Sequence, residues 1–192
     1  MMKVAINGVG RIGRAAFKIL LDTPELELAA VNDLSSPENL AYLLQYDTVY
    51  GRYHRSVAAD GDNLIVDGKR YRVLHEKDPA KLPWGELGVE LVFECTGVFN
   101  KRVDLERHLR AGAKTVILSA PTKDEDIGTV IHGVNRPGNG MSIISCASCT
   151  TNCITPIVEV LGRRIGVQKA IMTTVHAYTS TQSLVDGPNK KM

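Results

Sequence analysis

Apolar and polar positions change rhythm several times along this chain. Lys3-Val4-Ala5-Ile6-Asn7 is a short apolar run, which predicts a strand covered on both faces. From Arg11 to Leu21 the apolar residues recur at helical spacing, so a helix is expected. A second strand is expected over Leu28–Asp33 and a second helix over Pro37–Gln45, with Ser35 or Ser36 as N-cap. The rhythm then shortens. Val57-Ala58-Ala59, Asn63–Val66 and Arg70–Leu74 are separated by Asp60-Gly61-Asp62 and Asp67-Gly68-Lys69. Asp-Gly between β-prone runs signals a hairpin, so this stretch predicts an antiparallel insertion. Alternation resumes with a strand at Glu90–Glu94, a helix at Arg102–Ala111 ended by Gly112, and a strand at Lys114–Ser119. Thr129–Gly133 and Ser142–Ile144 read as further short strands. The apolar run Ile154–Ile165 predicts a helix, and the β-branched stretch Gln168–Tyr178 a strand.

The first turn carries chemistry. Gly8-Val9-Gly10-Arg11-Ile12-Gly13 follows the first strand at once and opens the first helix, and Asp33 stands twenty residues past Gly13 at the end of the next strand. Strand, G-x-G-x-x-G, helix, strand and acid form the dinucleotide fingerprint in its proper context. Gly8 permits the tight turn, Gly10 lets the backbone approach a pyrophosphate, and Gly13 lets helix and strand pack closely. The pyrophosphate rests on the helix N-terminus. Asp33 accepts hydrogen bonds from ribose hydroxyls and repels a 2′-phosphate, which favours NAD over NADP. With the strand–helix alternation, this gives the fold class: α/β, a Rossmann-type doubly wound parallel sheet with an antiparallel insertion.

A second cluster lies at Ser145-Cys146-Ala147-Ser148-Cys149-Thr150-Thr151-Asn152-Cys153, with His176 following in Thr173-Thr174-Val175-His176-Ala177-Tyr178-Thr179. A thiol at a helix N-terminus feels the positive end of the dipole and its unpaired N–H groups, and both favour thiolate. A histidine within reach accepts the thiol proton and later handles protons on a substrate oxygen. Cys149 and His176 are therefore the catalytic candidates. Cys95 and Cys153 are expected to be structural, and His54, His75, His108 and His132 have no partner motif and receive no role.

Composition narrows the class. Hydrophobic content of 44%, charged content of 23% and a net charge of +2 belong to an ordinary globular chain. Arg163-Arg164 reads as a solvated helix end, and basic and acidic residues are spread along the chain, so no nucleic-acid partner is expected. No apolar run approaches the roughly 20 residues of a membrane span. Met1-Met2-Lys3 leads straight into a strand, with no signal peptide expected. Four cysteines, three within eight positions, do not form a secreted disulfide pattern, so a cytoplasmic location is expected.

Asn7–Arg14, Ser148–Cys153 and His176–Thr179 together resemble the phosphorylating glyceraldehyde-3-phosphate dehydrogenases, a likeness that runs from Lys3 to about Lys190. The resemblance implies an NAD-dependent oxidation of glyceraldehyde 3-phosphate coupled to uptake of inorganic phosphate, giving 1,3-bisphosphoglycerate through a thiohemiacetal and thioester on Cys149. Substrate contacts are implied at Ser148, Thr150, Thr179 and Thr181. Cofactor contacts are implied at Arg11 and Ile12 through backbone N–H groups, at Thr96, Gly97 and Phe99 around the adenosine, and at Ser119 near the nicotinamide ribose. Lys77 stands where the family commonly has arginine. No metal is expected.

Family members continue well beyond this length and form homotetramers. The chain is thus expected to be an N-terminal portion: residues 1–149 an NAD-binding domain, and residues 150–192 the start of an α+β catalytic domain. Alternatives from the residues are an erythrose-4-phosphate dehydrogenase, disfavoured by Asp186-Gly187-Pro188, and a non-catalytic NAD-binding module. Cys146 replaces the family's usual asparagine and creates Cys146-Ala147-Ser148-Cys149. That spacing suits a reversible disulfide, less well a zinc site, or a small residue filling asparagine's space.

Overall fold

A computed structural model describes residues 1–179. The chain opens with strand β1 (Met2–Asn7), helix α1 (Arg11–Leu21), strand β2 (Leu26–Asn32) and helix α2 (Pro37–Gln45). Ser36, rather than Ser35, caps α2, accepting from the Asn39 N–H at 3.4 Å, and Pro37 takes the first helical position, where its missing N–H is not needed. Three short strands follow, β3 (Val57–Asp60), β4 (Asn63–Val66) and β5 (Lys69–Leu74), as the Asp-Gly signals predicted. At the second hairpin Asp67 and Gly68 both take positive φ (49° and 80°), the turn whose twist matches the strands it joins.

The remaining elements are a 3₁₀ turn (Pro79–Lys81), a one-turn helix α3 (Trp84–Leu87), strand β6 (Leu91–Glu94), helix α4 (Arg102–Arg110), strands β7 (Thr115–Leu118), β8 (Gly128–Thr129) and β9 (Ile143–Ser145), and helix α5 (Cys149–Ile165). Gly112, at φ 109°, turns the chain away from α4 one residue beyond its cap, Ala111. Among the described residues one nine-stranded sheet forms, in the order β3-β4-β5-β2-β1-β6-β7-β9-β8. All pairings are parallel except those within β3-β4-β5. The insertion is thus part of the main sheet, because β5 returns to pair with β2. Strand order reverses beside β1, and the crevice above such a reversal, at the carboxyl ends of the strands, is where doubly wound sheets bind ligands.

Alternation along β1 sorts the core into two layers. Val4 and Ile6 face α1 and α2, where they meet Phe17, Leu40, Leu44, Leu64 and Tyr71. Ala5 faces the other way, with Ala30 and Val92, onto Trp84. Small residues on that side let the indole approach the sheet. A third cluster, Leu105, Val116, Leu118, Ile127 and Ile143, seats α4. Burying each large side chain contributes about 2 kcal/mol.

Three expectations are corrected. Residues 166–179 form no strand, so Gln168–Tyr178 does not pair. A strand is stabilised by a neighbour's backbone, and no described strand pairs with this stretch. Ile171 and Val175 are fully exposed, and α5 buries no residue. The strand predicted over Thr129–Gly133 is only Gly128–Thr129, since Ile131 and Asn135 close a local turn in which Asn135 Oδ1 accepts from the Ile131 N–H at 2.7 Å. The 3₁₀ turn and α3 were not foreseen. Asp78 accepts from the Ala80 N–H ahead of Pro79, a capping signal too short to carry a period. No helix of the described residues is long and apolar enough to cross a membrane.

Candidate active site

Above the β1/β6 crevice is a cleft of about 580 Å³. Its lining includes Gly8, Gly10, Arg11, Ile12, Asp33, Lys77, Thr96, Gly97, Phe99 and Ser119, which are all the residues expected to touch a dinucleotide except Gly13. Gly8 adopts φ 90° and lies so close to the next strand end that a Cβ would come within 2.7 Å of Thr96 Cα. At Gly13 a Cβ would sit 1.9 Å from the Gly8 carbonyl oxygen, so this glycine stands behind the loop and lets it fold back on α1. A Cβ on Gly10 would meet no protein atom within 4 Å. The space beside it opens to the cleft.

The donor set fits a diphosphate. Gly10 provides no side-chain cap to α1, and the first turn has no acidic residue. The helix's first N–H groups, among them those of Arg11 and Ile12, keep their positive potential. The Arg11 guanidinium bonds Asp47 at 2.9 Å. Asp33 has a structural task as well. Its Oδ2 accepts from the Val9 N–H at 2.7 Å and its Oδ1 from the Ser35 N–H at 2.8 Å. A carboxylate has about four acceptor sites, so two remain for ribose hydroxyls. Asn7, Asn32, Leu34 and Glu76 also line the cleft and were missed. Only their positions at or just past strand ends could have pointed to them.

The position of Cys149, the candidate nucleophile, is set by the exit from β9. Ser145 Oγ donates to the Ala120 carbonyl at 2.8 Å and accepts from the Ala147 N–H at 3.0 Å. Cys146 N–H binds the Leu118 carbonyl, Ala147 takes a left-handed φ of 60°, and Ser148 returns to extended backbone. Ser148 Oγ then caps α5, accepting from the Thr151 N–H at 3.0 Å, so the hydroxyl expected to contact substrate is engaged as a helix cap. Asn152 Nδ2 braces the turn by donating to the carbonyls of Cys146 (2.6 Å) and Ser148 (2.9 Å). Cys149 is thereby the first residue of a 17-residue helix.

Cys149 Sγ lies 3.2 Å from His176 Nε2. His176 Nδ1 is 2.6 Å from the Ala177 carbonyl. A carbonyl only accepts, so Nδ1 holds a hydrogen and Nε2 is the nitrogen that receives the thiol proton. The bond to His176 holds the Cys149 thiol below its ordinary range, and the Thr150 N–H and hydroxyl add to this. The Ala177 carbonyl, and next the Cys149 sulfur, raise His176. Burial does the opposite to two other thiols, pushing Cys95 up to about 12 and raising Cys146. All four cysteines are free.

A groove of about 400 Å³ runs past Cys149 and Thr150 to Met172–Ala177. Thr179 lies three residues beyond His176, outside this lining, and Thr181 falls outside the described residues.

His176→Asn is expected to raise the Cys149 pKa, because it removes the largest cause of the lowering. Iodoacetamide alkylation measured against pH should then shift to higher pH, with a rate at neutral pH about tenfold lower. An unshifted profile would show that the helix terminus alone activates the thiol.

The chain spans 57–58% of the length of three curated relatives it matches. The profile of the glyceraldehyde 3-phosphate dehydrogenase NAD-binding domain matches residues 2–102, and that of the C-terminal domain of the same enzymes matches residues 148–192. Glyceraldehyde-3-phosphate dehydrogenase 1 of Bacillus subtilis (strain 168) is 52% identical over 192 residues, which is 98% of this chain and 57% of that protein. The glyceraldehyde-3-phosphate dehydrogenases of Streptomyces coelicolor and Geobacillus stearothermophilus are each 50% identical, covering all of this chain and 58% of their own length. A glycine loop at the sheet's switch point, a cysteine at a helix start paired with a histidine, and matches to both domains of one enzyme agree, and the chain belongs to the glyceraldehyde-3-phosphate dehydrogenase family.

Proposed function

We propose that the protein carries out the phosphorylating oxidation of glyceraldehyde 3-phosphate, with NAD as hydride acceptor. The observation that carries the reading is the Cys149–His176 pair at 3.2 Å on a capped helix N-terminus. The Cys149 thiolate adds to the aldehyde carbon, the carbonyl oxygen takes the former thiol proton from His176 Nε2, and the hemithioacetal hydroxyl so formed returns it to Nε2 while the carbon loses hydride. NAD, when bound, supplies the electrophilic carbon that accepts this hydride. A thioester remains on Cys149. Inorganic phosphate attacks it, the C–S bond breaks, and an acyl phosphate leaves with the thiolate restored. The Thr150 N–H and hydroxyl beside Sγ support the sulfur's negative charge in the resting state and after product release.

In this reading Gly8, Gly10, Arg11, Ile12 and Gly13 form the pyrophosphate cradle. Asp33 holds the adenosine ribose, Lys77, Thr96, Gly97 and Phe99 border the adenosine, and Ser119 approaches the nicotinamide ribose. Thr150, Thr179 and Thr181 contact the phosphates, with Ser148 supporting them from its capping position. The intact protein acts as a cytoplasmic homotetramer, and the residues from about 150 onward belong to its catalytic domain. That several relatives bear the glyceraldehyde-3-phosphate dehydrogenase name favours this substrate over erythrose 4-phosphate.

The test is NADH formation by the intact protein with each aldehyde. With phosphate, steady turnover on glyceraldehyde 3-phosphate is expected. Without it, one equivalent of NADH should form and the mass of the Cys149 peptide should rise by the acyl group. Faster turnover on erythrose 4-phosphate would reassign the substrate, and NAD binding without NADH formation would favour a non-catalytic module.

A further inference from the structure

Beneath the cofactor cleft runs a set of buried polar side chains that the chemistry above does not use. Asn7 ends β1, Asn32 ends β2, Glu94 ends β6, and His108 projects from α4; their exposures are 1%, 4%, 0% and 0%. A carboxylate at that depth is costly unless donors meet it. Four donors meet Glu94. Its Oε2 accepts from Asn7 Nδ2 at 2.5 Å and from His108 Nε2 at 3.0 Å. Its Oε1 accepts from the Thr96 N–H at 2.8 Å and the Thr96 hydroxyl at 2.5 Å. The proton on His108 is placed by Trp84, whose indole N–H donates to His108 Nδ1 at 3.0 Å. Nδ1 is then an acceptor, and the ring hydrogen sits on Nε2, facing Glu94. On the far side Asn7 Oδ1 accepts from Asn32 Nδ2 at 2.7 Å. Asn32 bonds both main-chain groups of Glu76, each at 2.9 Å.

We propose that Glu94 is a positioning residue for the adenosine half of the cofactor, holding the four segments that enclose the cleft at one mutual spacing. The inference rests on the NAD reading above. Each segment enters the network once: the glycine turn through Asn7, the Asp33 segment through Asn32, the Lys77 segment through Glu76, and the Thr96-Gly97 loop through Glu94 itself. Thr96 shows the direction of the design. Its hydroxyl donates inward to Glu94 and accepts from the Val98 N–H at 3.1 Å, so it serves the loop. The spacing matters because the space for a Cβ at Gly8 is closed by Thr96 Cα at 2.7 Å, and moving either loop reshapes the cleft floor. Glutamine cannot replace Glu94, because all four partners donate and an amide turned either way sets its NH₂ against two donors.

The test is calorimetric titration of the intact protein with NAD and with ADP-ribose, for wild type, Glu94→Gln, Thr96→Val and Thr96→Ser. Glu94→Gln and Thr96→Val should weaken both ligands about tenfold at unchanged stoichiometry, and Thr96→Ser, which keeps the hydroxyl, should restore most of the affinity. A merely structural role would lower the melting temperature and the stoichiometry while the folded fraction bound with wild-type Kd, and that result overturns the proposal. Should Glu94→Gln not fold, the Thr96→Val and Thr96→Ser pair decides alone. Wild type binding neither ligand would sink the NAD reading and this inference with it; wild type binding both while the variants match it would sink only this inference.

Discussion

Cys149→Ser is expected to lower turnover by about 10⁴-fold or more while leaving the Kd for NAD unchanged. Serine keeps the helix position and the contact with His176, so the loss isolates the sulfur. His176 has a thiol to deprotonate that the His176 bond, the helix start and Thr150 already favour as thiolate. A serine hydroxyl lies far above that range, and His176 is oriented by the neutral Ala177 carbonyl, with no carboxylate to stabilise an imidazolium. An oxygen ester would also be a poorer acyl donor to phosphate than the thioester. Steady-state NADH formation checks the first half and calorimetry the second. Turnover within about tenfold of wild type would mean another nucleophile, and Cys153, in the same groove, would be examined next.

Gly13→Ala is expected to destabilise the protein by about 2–4 kcal/mol, a sizeable part of the roughly 5–15 kcal/mol that holds a domain folded. The added Cβ would lie 1.9 Å from the Gly8 carbonyl oxygen and 2.9 Å from its carbon. Both are backbone atoms, so no side chain can rotate away and α1 itself must shift. Gly10→Ala is the matched control, because its Cβ meets no protein atom within 4 Å and Gly10 has an ordinary φ of −73°. It should keep the melting temperature and weaken NAD more than tenfold, since the methyl enters the space beside the helix start. Thermal unfolding and NAD titration of the two variants separate fold from binding. A Gly10→Ala protein with wild-type affinity would place the pyrophosphate elsewhere.

Local features were the legible ones. The glycine loop, the Asp-Gly hairpins and the Ser36 cap each depend on residues within a few positions, and each formed as expected. The Cys149 helix start was legible for the same reason. Gln168–Tyr178 was misread because β-branched residues state a preference that only a neighbouring strand can satisfy. His176 nonetheless reaches Cys149, across 27 positions. The 3₁₀ turn and α3 escaped because three or four residues carry no period.

The network under the cleft escaped for a different reason. Asn7 and Glu94 are 87 residues apart, and His108, which has no partner motif in the sequence, is fixed by Trp84 and Glu94. Ser148, expected beside the substrate, also caps α5 through its hydroxyl, a second task that its place next to Cys149 does not reveal.

The α/β alternation, the glycine loop with its acid, the candidate cysteine and histidine, and the family were all legible in the chain itself. These are patterns of short range, written in spacing and residue type. That the antiparallel insertion joins the main sheet, that four distant segments close one cleft, and that a buried carboxylate meets four donors beneath it emerge only in three dimensions. Buried polar groups must find partners wherever the fold brings them, and no local spacing encodes which distant strand end will supply the bond.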